Sequence, residues 1–223
     1  MATISQPLPM RARLRPKFFL FAFIGLMMAY VLCHNERFLI NSADPVWQHY
    51  QPFKWWLLPH GLAGACALLL GPLQFSDRLR QRYLKLHRVI GYVYVTGAMI
   101  LAPLGAYIQY FEERMGGTRS FSLAAGADAA LLMMTTAVAL WFVLRGKIQQ
   151  HRQWMTRSYA VALVFVEVRV IGGLTGWDQS DRAVETIVWM CLIFAVPLAD
   201  IVLHWQDFRR SKPAKVKARA AAA

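Results

Sequence analysis

Residues 89–110, VIGYVYVTGAMILAPLGAYIQY, decide the fold of this chain, because they form an uninterrupted run of 22 residues without a charged side chain. As a helix rising 1.5 Å per residue, the run is about 33 Å long, enough to cross a hydrocarbon core of about 30 Å. Five Lys and Arg residues lie just before it, between positions 78 and 88. The run therefore predicts a transmembrane helix that begins on the cytoplasmic side.

Five more apolar stretches lie on either side of this run, and 57% of the 223 residues are hydrophobic. The bilayer interior offers the backbone no hydrogen-bond partner, so each stretch is predicted to be a helix. The sequence thus predicts an all-α, polytopic integral membrane protein, a bundle of six transmembrane helices within residues 18–205. The predicted spans are about 18–33, 55–75, 89–110, 121–144, 156–174 and 184–205.

The basic residues are sorted by loop, and this sorting predicts the orientation. Most of the 25 Lys and Arg residues fall in the N-terminus, the second and fourth loops and the tail, whereas five fall in the three intervening loops. Basic loops stay in the cytoplasm, so both termini are predicted to be cytoplasmic: a basic N-terminus at 1–17 and a disordered basic tail at 206–223. The net charge of +13 is then explained by anionic lipid headgroups and not by nucleic acid.

Polar residues within the predicted transmembrane helices are the candidates for function, because each costs free energy there unless it is paired or hydrated. One set, predicted to lie near the outer side, is His60, Asp128, Glu167 and Arg169. Two interpretations stay open for this set. Asp128, Glu167 and Arg169 could form a buried ion-pair network that holds helices together, or the set could form a proton or ligand site that opens outward.

A second set lies at the opposite, inner side, where His87-Arg88 and His151-Arg152 stand 64 residues apart, each beside the start of a predicted helix. Two histidines at one depth on different helices suit the axial positions of a six-coordinate b-type haem iron, and arginines suit its propionates. The arginines placed for that role are Arg82, Arg88, Arg152 and Arg157. For each histidine alone, a headgroup contact or a helix-end position is the alternative.

Three further patterns lie on the inner side, near these histidines. His151, Trp154 and Met155 share one helix face, which could cover a haem edge or a quinone head, or could simply pack and anchor the helix. Asp200 and His204 are four residues apart, so the carboxylate could orient the imidazole. The dipeptide Gly71-Pro72 predicts a break at the end of the second span.

Three motifs in order resemble a family of bacterial predicted membrane proteins known only as a domain of unknown function. They are HGLAG at 60–64 with GPLQF at 71–75, LHRVIGYVY at 86–94, and HRQWMTRSYA at 151–160. The resemblance covers roughly residues 55–175 and implies a multi-span protein of the bacterial inner membrane with no assigned reaction. It implies that the family pattern includes His60, His87, Arg88, Gly91, His151, Trp154, Met155, Arg157 and Ser158.

Three functions remain open from the sequence. The first is membrane electron transfer with one haem b, or a quinone, near the cytoplasmic face. The second is a small proton-coupled transporter that uses the His60, Asp128, Glu167 and Arg169 set. The third is a non-catalytic membrane subunit or assembly factor that acts with a membrane protein partner. No phosphate-binding loop, nucleophile elbow or zinc-protease motif is present in the sequence, so it identifies no soluble-enzyme chemistry.

Overall fold

The computed structural model describes residues 16–39, 41 and 43–210, and over these residues the secondary structure is helical. Three single-turn 3₁₀ helices, at Arg37–Leu39, Gln51–Phe53 and Trp177–Gln179, lie between the longer helices. The α-helices of the described residues are α1 Pro16–His34, α2 Pro45–Tyr50, α3 Lys54–Gln74, α4 Asp77–Arg82, α5 Leu84–Arg114, α6 Arg119–Leu144, α7 Ile148–Ala162, α8 Val164–Thr175 and α9 Asp181–Arg210.

Five helical segments are long and apolar enough to cross a membrane, and α1 is a shorter apolar helix beside them. The segments are Pro45–Gln74, Leu84–Arg114, Arg119–Leu144, Ile148–Thr175 and Asp181–Trp205. Large apolar side chains such as Leu62, Tyr92 and Ile193 point outward and are more than half exposed, as lipid contact requires. The predicted fold class, an all-α polytopic membrane bundle, is confirmed, and the orientation of its ends stays a prediction.

Helices that follow one another in the chain pack side by side. α3 packs on α5, α5 on α6 and α6 on α7, while α9 packs on both α7 and α8 and α1 packs on α8. Small residues bring α3 and α5 close, because a Cβ added at Gly97 would lie 3.0 Å from the Ala63 carbonyl oxygen. Such close backbone approach is the usual way in which membrane helices gain packing contacts without a hydrophobic driving force.

The two ends of the bundle differ in the side chains that they carry. The basic end comprises α4, the first turn of α5 and the loop between α6 and α7, where Arg78, Arg82 and Arg145 are exposed. The aromatic end comprises α2, the Gln51–Phe53 turn and the last turns of α5. There the ring of Phe53 lies 5.7 Å from that of Phe111.

Two helix boundaries differ from the predicted spans. α7 begins at Ile148, eight residues before the predicted fifth span, so His151 and Trp154 lie on the helix and not before it. The apolar pattern shows only the part of a helix that lies in hydrocarbon, whereas the backbone continues as a helix into the wet interface. α7 and α8 are separated at Leu163, where the helical hydrogen-bond pattern is interrupted.

The predicted break at Gly71-Pro72 does not form, because α3 continues through Pro72 to Gln74. A proline inside a helix removes one backbone hydrogen bond to the carbonyl four residues earlier, here that of Leu68. The hydroxyl of Tyr159 on α7 donates to this Leu68 carbonyl at 3.0 Å. A neighbouring helix therefore satisfies the group that Pro72 frees, and the helix stays intact.

The contact between α3 and α7 depends on the missing side chain of Gly71, since a Cβ there would collide with the ring of Tyr159. We expect Gly71→Ala to lower the free energy of unfolding by about 1–3 kcal/mol, because the buried ring must move. Gly61→Ala on the same helix is the matched control, since an added Cβ meets nothing within 4 Å. Thermal unfolding of both variants in detergent measures the difference, and equal midpoints would contradict this account of the contact.

Candidate functional site

A chain of three hydroxyl groups lies in the middle of the bundle and joins three helices. Ser158 Oγ on α7 lies 2.9 Å from Tyr94 Oη on α5 and 2.7 Å from Thr136 Oγ1 on α6. All three side chains are fully buried. Buried hydroxyls need hydrogen-bond partners, and these three satisfy one another. This chain, the hydroxyl trio, therefore fixes the register of α5, α6 and α7.

The hydroxyl trio determines where His87 and His151 lie relative to each other. His87 is seven residues before Tyr94 on α5, and His151 is seven residues before Ser158 on α7. Seven residues are two turns, which return to nearly the same helix face about 10 Å along the axis. Both helices run from the basic end, so the two imidazoles lie at about one depth, each two turns nearer that end than its residue of the trio.

The Nδ1 atoms of these two histidines differ in their hydrogen bonds. His151 Nδ1 lies 2.9 Å from the Ala139 carbonyl oxygen on α6, and a carbonyl oxygen only accepts, so Nδ1 carries the proton. In the neutral ring, Nε2 then holds the lone pair that a metal needs. His87 Nδ1 is buried and has no hydrogen-bond partner within the described residues. Such an orphaned buried atom calls for a specific explanation, and a bound group or water is one.

The surroundings of the histidine pair combine cations with a half-buried indole. Arg88 and Arg152 follow the two histidines directly and are exposed at the basic end. Trp154 lies one turn after His151, and the Arg157 guanidinium lies 4.9 Å from the centroid of its ring. The amide of Gln74 donates to the His87 carbonyl oxygen at 3.2 Å, which ties the start of α5 to the end of α3.

An ion pair between α7 and α9 holds the same region together. Arg157 Nε and Nη2 lie 2.8 and 2.7 Å from Asp200 Oδ1. His204 Nδ1 lies 2.8 Å from the backbone carbonyl oxygen of Asp200 and therefore donates to it. The Asp200 carboxylate thus binds Arg157, and the backbone, not the carboxylate, orients His204. Arg157 was predicted to serve a haem propionate, and here its two nitrogens already have a carboxylate partner.

The predicted outer set of His60, Asp128, Glu167 and Arg169 is not assembled into one site in the part of the chain described. Arg169 binds Glu36 at 2.7 Å. His60 Nδ1 donates to the Leu101 carbonyl oxygen at 3.0 Å. Among the described residues, no ion pair joins Asp128, Glu167 and Arg169 to one another. Glu167 and Arg169 are two apart on a helix, so their side chains point to different faces.

Asp128 occupies an unusual position on its own. It lies in the buried face of α6 with only 7% of its surface exposed, and its Oδ1 has no hydrogen-bond partner among the described residues. The sequence predicts Asp128 as a site residue but does not predict Tyr94 or Thr136. Their hydroxyls within apolar spans were the available signal, yet tyrosine and threonine also occur singly in membrane helices, so the pattern alone does not show that they meet.

Comparison with known proteins identifies a family for this chain. A family model described as "Predicted membrane protein (DUF2306)" matches residues 57–203. The match includes the hydroxyl trio, the histidine pair and Asp128. No curated protein and no solved structure matches the chain.

The Arg157–Asp200 pair yields a test of how α7 is anchored to α9. Asp200→Ala should lower the free energy of unfolding by about 1–2 kcal/mol, because it leaves a mostly buried guanidinium without its carboxylate. Adding Arg157→Met should recover part of this loss, since it removes the unpaired charge. Urea or thermal unfolding of the single and double variants in detergent measures the coupling, and strictly additive losses would show that the pair contributes nothing.

Proposed function

The chain belongs to the DUF2306 family of predicted membrane proteins, and we propose that it is a membrane redox protein that binds one b-type haem between His87 and His151. The basic end, which carries this pair, faces the cytoplasm of a bacterial inner membrane in this proposal. The observation that carries it is the register set by the hydroxyl trio, which puts two imidazoles at one depth on α5 and α7.

The number of protein ligands favours haem over a bare metal ion. No group of three or more His, Cys, Asp and Glu side chains with metal-site spacing occurs among the described residues. A haem iron needs only two protein ligands, because the porphyrin supplies four nitrogens. His151 offers Nε2, with its Nδ1 proton held by the Ala139 carbonyl, which is the usual outer-shell support of a ligating imidazole.

The residues around the pair supply the remaining contacts. Arg88 and Arg152 provide charge for the propionates at the basic end, and the Trp154 indole provides an aromatic surface beside His151. When bound, haem would supply reversible one-electron transfer. The protein would hold the ring between its helices, exclude water with apolar side chains and set the potential through the two imidazoles and their hydrogen bonds.

The other predicted functions receive less support from the geometry. A quinone carbonyl only accepts hydrogen bonds, whereas the free Nε2 of neutral His151 carries a lone pair and no proton, so a quinone suits this histidine poorly. The transporter hypothesis relied on the outer polar set acting together, and His60 and Arg169 each bind other groups. A non-catalytic subunit or assembly factor has no particular residue in its favour.

A visible absorption spectrum of the purified protein, oxidised and then reduced with dithionite, tests the proposal after expression with a haem precursor. We expect a Soret band and sharp α and β bands in the reduced form. His87→Ala and His151→Ala should each abolish these bands, because each removes one of two axial ligands. His34→Ala and His49→Ala are matched controls away from the site and should leave the spectrum unchanged.

Two outcomes would contradict the proposal that His87 and His151 ligate a haem. One is a flat spectrum from protein that remains folded by circular dichroism. The other is equal haem content in all four alanine variants, which would show that neither His87 nor His151 coordinates the iron. Loss of haem in only one variant would identify a five-coordinate haem and contradict the paired ligation.

A further inference from the structure

One buried face of α6 carries polar groups over about three turns of the helix, from Asp128 to Ala139. Asp128, Thr135 and Thr136 are all buried on this face, and the Ala139 carbonyl on the same face accepts the bond from His151. The other buried residues of α6 are alanines and one leucine. A polar group costs free energy at this depth unless it is paired, and on this face Asp128 Oδ1 has no hydrogen-bond partner among the described residues.

These groups lie at successive depths. Asp128 is seven residues before Thr135, so it lies on nearly the same face about 10 Å nearer the aromatic end. Thr135 donates to the carbonyls of its own helix at 2.8 and 3.1 Å, whereas the neighbouring Thr136 bonds across to Ser158. The hydroxyl trio therefore lies nearer the basic end of the bundle than Asp128 does.

The chemistry of these groups suits the movement of a proton. A carboxyl group takes up and releases protons, and Asp128 has an oxygen with no partner to hold it in one state. In both bonds of the hydroxyl trio, either oxygen can be the donor. Each hydroxyl can therefore accept a proton on one side and release its own on the other, which leaves the trio chemically unchanged.

We infer that Asp128 and the hydroxyl trio form a proton pathway through the bundle. A proton from water at the aromatic end binds the Asp128 carboxylate, and the carboxylic acid passes it through bridging water to Thr136. Ser158 and Tyr94 carry it across from α6 to α5, and water at the basic end accepts the proton that leaves Tyr94. The pathway requires bridging water over this interval of about 10 Å, with the Asp128 carboxyl and the Thr136 hydroxyl as its polar partners at the two ends. The pathway uses no haem ligand and does not depend on haem.

The alternative, that Asp128 is only a structural residue, makes a different prediction for its surroundings. A structural buried carboxylate is held by cations or donors on neighbouring helices, as Asp200 is held by Arg157. Arg169, the arginine that the sequence groups with Asp128, binds Glu36. Asp128 is therefore available for exchange with a mobile proton.

Proton flux in proteoliposomes tests the pathway. Purified protein is placed in vesicles that contain a pH-sensitive dye, and a potassium gradient with valinomycin drives protons inward. The wild-type protein should acidify the vesicles faster than empty vesicles do. Asp128→Asn, Ser158→Ala and Thr136→Val should each lower the protein-dependent rate by about tenfold or more, because each removes a group that must carry the proton.

Matched controls separate this effect from general damage. Glu167→Gln changes a half-buried carboxyl group on α8, and Thr96→Val changes an exposed threonine of α5. Both variants should retain the wild-type proton flux. Circular dichroism and gel filtration check that every variant is folded. Wild-type flux equal to that of empty vesicles would overturn the pathway, as would an equal loss in Glu167→Gln and Asp128→Asn. A protein that conducts protons but binds no haem would overturn the proposed redox function and leave the pathway standing.

Discussion

The two hydrogen bonds that join Tyr94, Ser158 and Thr136 constrain the whole bundle. A hydroxyl buried in a membrane interior must find a partner, and here each finds it on a different helix. A rotation or slip of α5, α6 or α7 would break this chain and leave polar groups unpaired. Apolar packing in lipid gives little preference for one register, so the hydroxyls provide the specificity that leucine and alanine contacts do not.

The fold was predictable because the bilayer imposes a strong rule on the sequence. A run such as 89–110 without charge has no other stable location, and α5 contains this run. The helix ends were less predictable. Hydropathy reports where hydrocarbon begins, and α7 starts at Ile148 in a polar segment that the interface tolerates. The predicted break at Pro72 failed for a related reason, because the compensating hydroxyl comes from a residue 87 positions later in the chain.

The candidate site was predictable in part. Counting residues from the helix ends placed His87 and His151 at one depth, and the separation of 64 residues reappears in the Tyr94–Ser158 bond. Lateral neighbours were not predictable from depth alone. Arg169 and Glu167 share a depth but not a face, and Arg169 pairs with Glu36, a residue beyond the end of α1. Glu36 comes close to Arg169 because α1 packs on α8, and the sequence does not predict that packing.

The bond from Tyr159 to Leu68 links the evolution of two helices. Pro72 is tolerated because that hydroxyl occupies the carbonyl that the proline leaves free, and Tyr159 keeps its place because Gly71 makes room for its ring. Relatives that lose the proline regain a backbone N–H and can replace the tyrosine with phenylalanine, whereas relatives that keep the proline should keep the hydroxyl. The residues at positions 72 and 159 are therefore expected to change together among relatives.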